Sequence, residues 1–157
     1  MSLVSTKWLF NNRENVKIVD CSWHLPNEKR NSLEEYNSEH IPNAIYFDID
    51  KNSDQNSDLP HMLPSKKQWE ETVSSLGISN DDKIIIYDNS DLISSCRLWY
   101  SFLYFGHKKE LVYILNGGLE KWNKEKLVTT NIKTDLVKTK YSATENKEMV
   151  KNLDEIN

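Results

Sequence analysis

A strand-like segment from Lys83 to Tyr87, in which four large apolar residues follow the lysine, constrains this chain more than any other feature, and a similar run extends from Leu111 to Leu115. A strand that is apolar on both sides is buried on both faces, which is typical of the centre of a parallel sheet covered by helices. Each run precedes a polar turn and a segment of helical periodicity. The sequence therefore predicts an α/β fold with a mostly parallel central sheet and helices on both faces.

Other segments fit the same alternation of strands and helices. Two more strands are expected at residues 16–20 and 44–47, where apolar and β-branched residues dominate. Helices are expected at residues 7–10, 33–40, 66–76, 94–105 and 119–124. Such sheets bind ligands beyond the carboxyl ends of their strands. The polar residues that fall there are Asp20, Asp48, Asp88 and Asn116.

The length of 157 residues, with 38% hydrophobic and 10% aromatic residues, predicts one domain with a packed core rather than a disordered chain. We assign residues 1–128 to this domain. From residue 129 onward Lys, Thr, Asn and Glu prevail, so residues 129–157 are interpreted as a linker that leads into a helix cut off at the terminus.

Several function classes are excluded by composition. The net charge of −4 offers no basic surface for nucleic acid, and no apolar run approaches the roughly 18 residues of a membrane span. Cys21 and Cys96 are too few for a disulfide framework or a zinc site, which favours a cytoplasmic location. The histidines lack metal-site spacing and no glycine-rich phosphate loop is present, so we expect neither a metal nor a cofactor.

The turn from Asp88 to Ile93 is the first candidate for chemistry. A turn between a buried strand and a helix directs backbone N–H groups at one anion, and it can hold a nucleophile or a phosphate. Here the strand ends in Asp88, so the other interpretation is that Asp88 caps the turn and the helix. Cys96 lies inside the helix and Cys21 at the end of the first strand. Either thiol could be reactive, although a small buried side chain explains each more simply.

The second candidate is the pair Asp50 and His61 in the long polar segment of residues 48–64. A carboxylate that orients an imidazole is the supporting half of a proton relay, which needs a hydroxyl or thiol to activate. A surface histidine without a catalytic role explains the same residues.

Ordered motifs run through residues 3–128. They include VSTKWL at 4–9, DCSWHLP at 20–26, HIPNAIYFDID at 40–50, LPHMLP at 59–64 and LNGGL at 115–119. This set resembles the N-terminal, non-catalytic rhodanese domain of tandem-domain 3-mercaptopyruvate and thiosulfate sulfurtransferases. The resemblance implies a rhodanese-like fold and transfer of a sulfane sulfur, from 3-mercaptopyruvate or thiosulfate to a thiol or cyanide, through a cysteine persulfide.

In that family the persulfide cysteine belongs to the second domain, in the loop equivalent to the Asp88 loop of this chain. The resemblance thus places Asp88 at the nucleophile position and leaves this chain without a catalytic residue. Asp50 and His61 match an acid and a histidine that complete a relay with a serine across the domain interface. Arg97 matches a structural position, expected to pair with a strand-end carboxylate such as Asp20.

The chain departs from the family pattern at three places. Asn116 stands where the family usually has Asp, and Asn43 stands where it often has Gly. Residues 89–91 lack the usual glycine. The implied partners are the absent catalytic rhodanese domain, in the same or a separate polypeptide, and a small sulfur donor at the shared interface. The chain is then an inactive fragment or one product of a split gene. The alternatives are a stand-alone, non-catalytic binding or regulatory module and a sulfurtransferase that uses Cys21.

Overall fold

The computed structural model describes residues 2–53, 63–90 and 93–149. Five parallel strands form one sheet in the order β1-β5-β4-β2-β3. The predicted α/β class, parallel sheet and two helical layers are confirmed, and the two-residue β1 is an addition that the sequence pattern did not predict. The strands are β1 (Leu3–Val4), β2 (Lys17–Asp20), β3 (Ala44–Tyr46), β4 (Ile84–Tyr87) and β5 (Val112–Leu115).

Among the described residues four α-helices connect the strands and a fifth follows β5, and two of the five begin after a serine cap. The Ser5 hydroxyl accepts the N–H of Trp8, and the Ser65 hydroxyl accepts the N–H of Gln68. The helix predicted to reach residue 40 ends earlier, because the backbone of His40 pairs with Thr130 instead. The helices are α1 (Thr6–Asn12), α2 (Ser32–Ser38), α3 (Lys66–Ser75), α4 (Ile93–Tyr104) and α5 (Gly118–Lys124).

The central strand β4 is buried on both faces, as its uninterrupted apolar sequence requires. On one face Ile84 and Ile86 join a cluster that contains Trp69 of α3. On the other face Ile85 joins a cluster that contains Trp122 of α5. This period of two divides the core into two layers, one on each face of the sheet.

The turn before β3 explains one departure from the family pattern. Asn43 has a φ of +73°, in the left-handed region that glycine enters most readily. Asparagine is one of the residues that adopts this conformation at modest cost. The replacement of glycine by Asn43 therefore leaves the turn into β3 intact.

Residues 129–146 contain no helix, yet they lie against the domain along its core. Tyr141 and Ala143 are buried, and the N–H of Tyr141 donates to the Ser74 hydroxyl at 2.9 Å. Gly106 lies so close to Thr144 that an added Cβ would approach the Thr144 carbonyl oxygen to 2.9 Å. This segment therefore completes one face of the domain, whereas composition had indicated a linker; the boundary at residue 128 stays a prediction.

Candidate functional site

The carboxyl ends of β2, β4 and β5 meet beside an open groove of about 920 Å³. Apolar side chains of Trp23, Leu25 and Ile93 line one part of it, and Arg30 and Asp88 line another. Leu25 and Ile93 are half or more exposed, at 50% and 59%. The groove thus combines a polar floor with an exposed apolar rim, at the edge where parallel sheets bind ligands.

Asp88 directly follows Tyr87, the last residue of β4, and is buried at the floor of this groove. Its Oδ1 accepts the N–H of Ser90 at 3.1 Å. Its Oδ2 accepts the N–H and hydroxyl of Ser95, at 3.1 and 2.5 Å, and the hydroxyl of Ser94 at 3.3 Å. The carboxylate of Asp88 therefore caps the turn and α4 itself and occupies the place where the turn could hold an external anion.

The turn after β5 packs directly on the backbone of Asp88. Gly118 has a φ of +59°, and a Cβ at this position would lie 2.6 Å from the Asp88 carbonyl oxygen. The N–H of Leu119 donates to the same oxygen at 3.1 Å. Gly118 is therefore required for the close approach of the two loops, and Asp88 is fixed through both its side chain and its backbone.

Asp20 ends the neighbouring strand β2 and is also buried. Its Oδ1 accepts the N–H and the hydroxyl of Ser22 at 2.9 and 2.7 Å, and the Ser22 hydroxyl in turn accepts the N–H of Asn89 at 2.7 Å. Burial raises the pKa of Asp20 to about 6, against the hydrogen bonds from Ser22 and Tyr87 that lower it. Asp20 thus links the loops that follow β2 and β4.

The expected pairing of Arg97 with Asp20 is not found. Arg97 is exposed on α4 and lies with Ile49 and Trp69 around a small cavity, away from the buried Asp20 carboxylate. Asp20 lies instead among Ser22 and Tyr87, whose hydroxyl groups meet the carboxylate without a buried cation. The sequence predicts that Arg97 lies one turn inside α4, but it does not show which neighbours its side chain contacts.

Neither cysteine is an activated thiol. The Cys21 side chain is fully buried, and its Sγ lies 3.7 Å from the Tyr87 carbonyl oxygen. Burial, and then the charges of Asp88 and Asp20, raise the pKa of Cys21 well above that of a free thiol. Burial and the charge of Asp88 also raise the pKa of Cys96. Because the thiolate is the nucleophile, both environments oppose persulfide chemistry.

A charged cluster at the groove is not evident from the sequence. Glu35 accepts two hydrogen bonds from Arg30, both at 2.8 Å, and its Oε1 lies 3.0 Å from Nε2 of the buried His24. Arg30 also donates to the carbonyl oxygen of Asn89 at 3.3 Å. The hydrogen bond from Arg30 lowers the pKa of Glu35. This cluster joins the loop after β2 to the Asp88 turn.

Asp50 lies in the turn that follows β3, and its Oδ2 accepts the indole N–H of Trp23 at 2.8 Å. The sequence analysis did not anticipate this contact, because Trp23 and Asp50 belong to two separate motifs. His61, the expected partner of Asp50, lies outside the described residues. The structure therefore locates one member of the expected relay pair and leaves the pairing itself a prediction.

The described residues contain neither a candidate metal cluster nor a candidate membrane span. Within residues 2–53, 63–90 and 93–149, no group of three or more His, Cys, Asp or Glu side chains could hold a metal ion. No helix in the same ranges is both long and apolar enough to cross a membrane.

Comparison with known proteins gives consistent matches. The rhodanese-like domain model matches residues 5–125. Over 76% of this chain, 45% of residues are identical to thiosulfate/3-mercaptopyruvate sulfurtransferase 1, mitochondrial, of Arabidopsis thaliana. Thiosulfate/3-mercaptopyruvate sulfurtransferase 2 of the same plant is 38% identical over 91% of this chain.

Among solved structures, SseA from Escherichia coli, a 3-mercaptopyruvate sulfotransferase with the rhodanese fold, superposes with a TM-score of 0.82 at 33% identity, over 94% of this chain and 57% of that one. The chain spans 32% and 42% of the lengths of the two plant relatives. The matched region is therefore a part of each of these longer proteins.

Proposed function

This chain belongs to the rhodanese-like domain family, and we propose that it is the non-catalytic half of a sulfurtransferase. The complete enzyme would move a sulfane sulfur from 3-mercaptopyruvate or thiosulfate to a thiol or cyanide acceptor. The observation that carries the proposal is that the carboxylate of Asp88 is bound by donors of its own turn and of α4, at the position where the family resemblance expects the nucleophile.

The chemistry of this position supports an inactive role. Sulfur transfer needs a thiolate that attacks the sulfane sulfur, releases sulfite or pyruvate and holds the sulfur as a persulfide. A carboxylate cannot form that persulfide, and the oxygens of Asp88 already accept hydrogen bonds from Ser90, Ser94 and Ser95. Cys21 is buried and its raised pKa keeps it a neutral thiol.

The role that remains is to complete an interface with a cysteine-bearing rhodanese domain, in the same polypeptide or a separate one. The exposed apolar side chains of Leu25 and Ile93 at the groove suit burial against such a partner. Asp50 would support a relay with His61 across that interface, beside a small sulfur donor. The two buried or half-buried free cysteines are compatible with a cytoplasmic, reducing location, which we include in the proposal.

The test is a sulfurtransferase assay of the purified chain. With thiosulfate and cyanide we expect thiocyanate formation at the uncatalysed rate, and we expect activity when a cysteine-bearing rhodanese domain is added. That activity should fall in Asp50→Ala and in His61→Ala. Thiocyanate production by the isolated chain that disappears in Cys21→Ser would overturn the proposal in favour of catalysis by Cys21.

A stand-alone binding module remains the second candidate, favoured by the groove of about 920 Å³ with Arg30 at its rim. A module of this kind needs no exposed apolar face, whereas an isolated half enzyme retains one. Small-angle scattering and a dye that reports exposed apolar surface separate the two. A monodisperse chain without dye binding supports the module, and dye binding that a catalytic domain suppresses supports the half enzyme.

A further inference from the structure

The turn after β3 holds the backbone of Asp50 in one place. The N–H of Lys51 donates to the Asp48 side chain at 3.0 Å, and the N–H of Asn52 donates to the Asp48 carbonyl oxygen at 3.1 Å. The Thr72 hydroxyl of α3 donates to the Asn52 side chain at 3.0 Å. The position of the Asp50 backbone is therefore set by hydrogen bonds within the turn and to a neighbouring helix.

Asp50 is exposed, so its rotamer is selected by hydrogen bonds rather than by burial, and the bond from Trp23 is one of them. The indole N–H of Trp23 donates to Asp50 Oδ2 at 2.8 Å, a normal length for a charge-assisted hydrogen bond. Trp23 is half-buried in the loop after β2 and lines the groove together with Asp88. The contact therefore joins the Asp50 turn to the face proposed to meet the catalytic domain.

We propose that Trp23 is a positioning residue that acts through Asp50: its indole N–H holds one carboxylate oxygen so that a relay imidazole meets the carboxylate in a single orientation. The inference rests on the proposed function, in which Asp50 supports a proton relay. A carboxylate in such a relay must keep the imidazole in one tautomer and direction, which a freely rotating surface carboxylate does not do. Tryptophan suits this task because it has two side-chain torsions and one rigid donor.

The first experiment measures steady-state sulfur transfer by this chain assembled with a cysteine-bearing rhodanese domain. Trp23→Phe removes the N–H and keeps an aromatic ring, so we expect kcat to fall about 10-fold with KM for the sulfur donor unchanged, since a relay group displaced by a fraction of an ångström loses rate rather than binding. The matched control is Trp99→Phe, because within the described residues the Trp99 indole nitrogen has no hydrogen-bond partner. The control should keep the wild-type kcat.

A double-mutant cycle separates positioning from a general structural effect. If Trp23 acts through Asp50, the loss caused by Trp23→Phe should vanish in an Asp50→Ala background, where no carboxylate remains to orient. Additive losses in the double variant would overturn the inference, and so would a wild-type kcat in Trp23→Phe when Asp50→Ala is impaired. That second result leaves the proposed function standing. An assembly without sulfur transfer would remove the proposed function and this inference together.

The hydrogen bond has an activity-independent readout in the isolated chain. In ¹⁵N NMR spectra the indole resonance of Trp23 should be displaced in Asp50→Asn. The Trp99 indole resonance should stay in place in that variant. A Trp23 resonance that does not respond would contradict the contact on which the inference depends.

Discussion

Asp20 shows how one buried carboxyl makes the stability of this domain depend on pH. The pKa of Asp20 is about 6 in the folded chain, and in the unfolded chain it returns to its ordinary value of 3.8. Between these values the folded state binds more protons than the unfolded state. The contribution of Asp20 to the free energy of unfolding is therefore fully present below about pH 3.8 and is lost as the pH rises through 6.

We expect Asp20→Asn to stabilise the domain at neutral pH. The neutral amide keeps an oxygen for the two donors of Ser22 and can present its NH₂ to the Tyr87 hydroxyl, without a buried charge. The gain relative to the wild type should be at most about 3 kcal/mol at pH 7.5 and should disappear near pH 4. Urea unfolding at several pH values, followed by tryptophan fluorescence, measures it.

The control for this prediction is Asp81→Asn, because the Asp81 side chain is 90% exposed. Its effect on stability should be small and nearly independent of pH. A variant of Asp20 that destabilises the domain equally at pH 4.5 and 7.5 would show that the carboxylate is needed for its hydrogen bonds and not disfavoured by burial.

At the scale of elements, the turn between β4 and α4 is stabilised by the carboxylate of Asp88, whereas the charged form of Asp20 destabilises the domain. Both oxygens of its carboxylate accept hydrogen bonds, from the Ser90 N–H and from the N–H and hydroxyl of Ser95. Asp88→Asn replaces one of these two acceptor oxygens with an NH₂ donor, which then faces the N–H and O–H donors of the turn or of α4. We expect a loss of about 2 kcal/mol in the free energy of unfolding, because a buried donor then lacks its acceptor.

The comparison of the two strand-end aspartates is the informative measurement. Asp20→Asn and Asp88→Asn make the same chemical change in neighbouring buried strands, yet at pH 7.5 the first should raise and the second should lower the urea midpoint. Equal effects of the same sign would show that burial alone, rather than the number of donors, decides the outcome at both positions.

Strands and helices of this chain are largely readable from its sequence because local patterns determine them. The apolar run at β4 and the serine caps Ser5 and Ser65 act through neighbours in the chain, so their elements begin and end within a few residues of prediction. β1 is not predicted because two residues are too few to show a periodic pattern, and its pairing with β5 depends on the fold already being formed.

The candidate site is less predictable, since its contacts join residues far apart in sequence. The position of Asp88 at the carboxyl end of a strand follows from topology alone. The hydrogen bond from Trp23 to Asp50, in contrast, joins residues 27 positions apart, and no local sequence pattern predicts it. The predicted pairing of Arg97 with Asp20 is not found for the same reason. The helix is predictable, but the neighbours of an exposed side chain depend on how α4 packs.

At the scale of the whole molecule, residues 129–146 decide where the domain ends. Their composition is polar, yet the Tyr141 ring is buried and its hydroxyl lies 2.8 Å from Nδ1 of the buried His107. The N–H of Ala143 donates to Glu70 of α3 at 2.7 Å, and the Thr139 hydroxyl donates to the Ile78 carbonyl oxygen at 2.5 Å. A few anchoring residues thus attach a polar segment to the core cluster that contains Trp69.

These anchors predict that a chain ending at Val128 is unstable. Removal of the segment exposes apolar core surface and takes away the Tyr141 groups that pair with the Ser74 hydroxyl and with Nδ1 of His107. The expected loss is roughly 3–5 kcal/mol, from one large buried side chain and several hydrogen bonds. The matched control is a chain ending at Met149, which keeps every anchor and should unfold at the same urea concentration as the full chain.

The truncated and control chains also distinguish a linker from a structural segment. If residues 129–146 only connect two domains, both chains should share one unfolding midpoint and neither should bind a dye for exposed apolar surface. If the segment belongs to the domain, the shorter chain should bind the dye and lose its cooperative transition, because its core cluster is open to water. The second result would place the end of this rhodanese domain about 20 residues beyond the boundary that composition indicates.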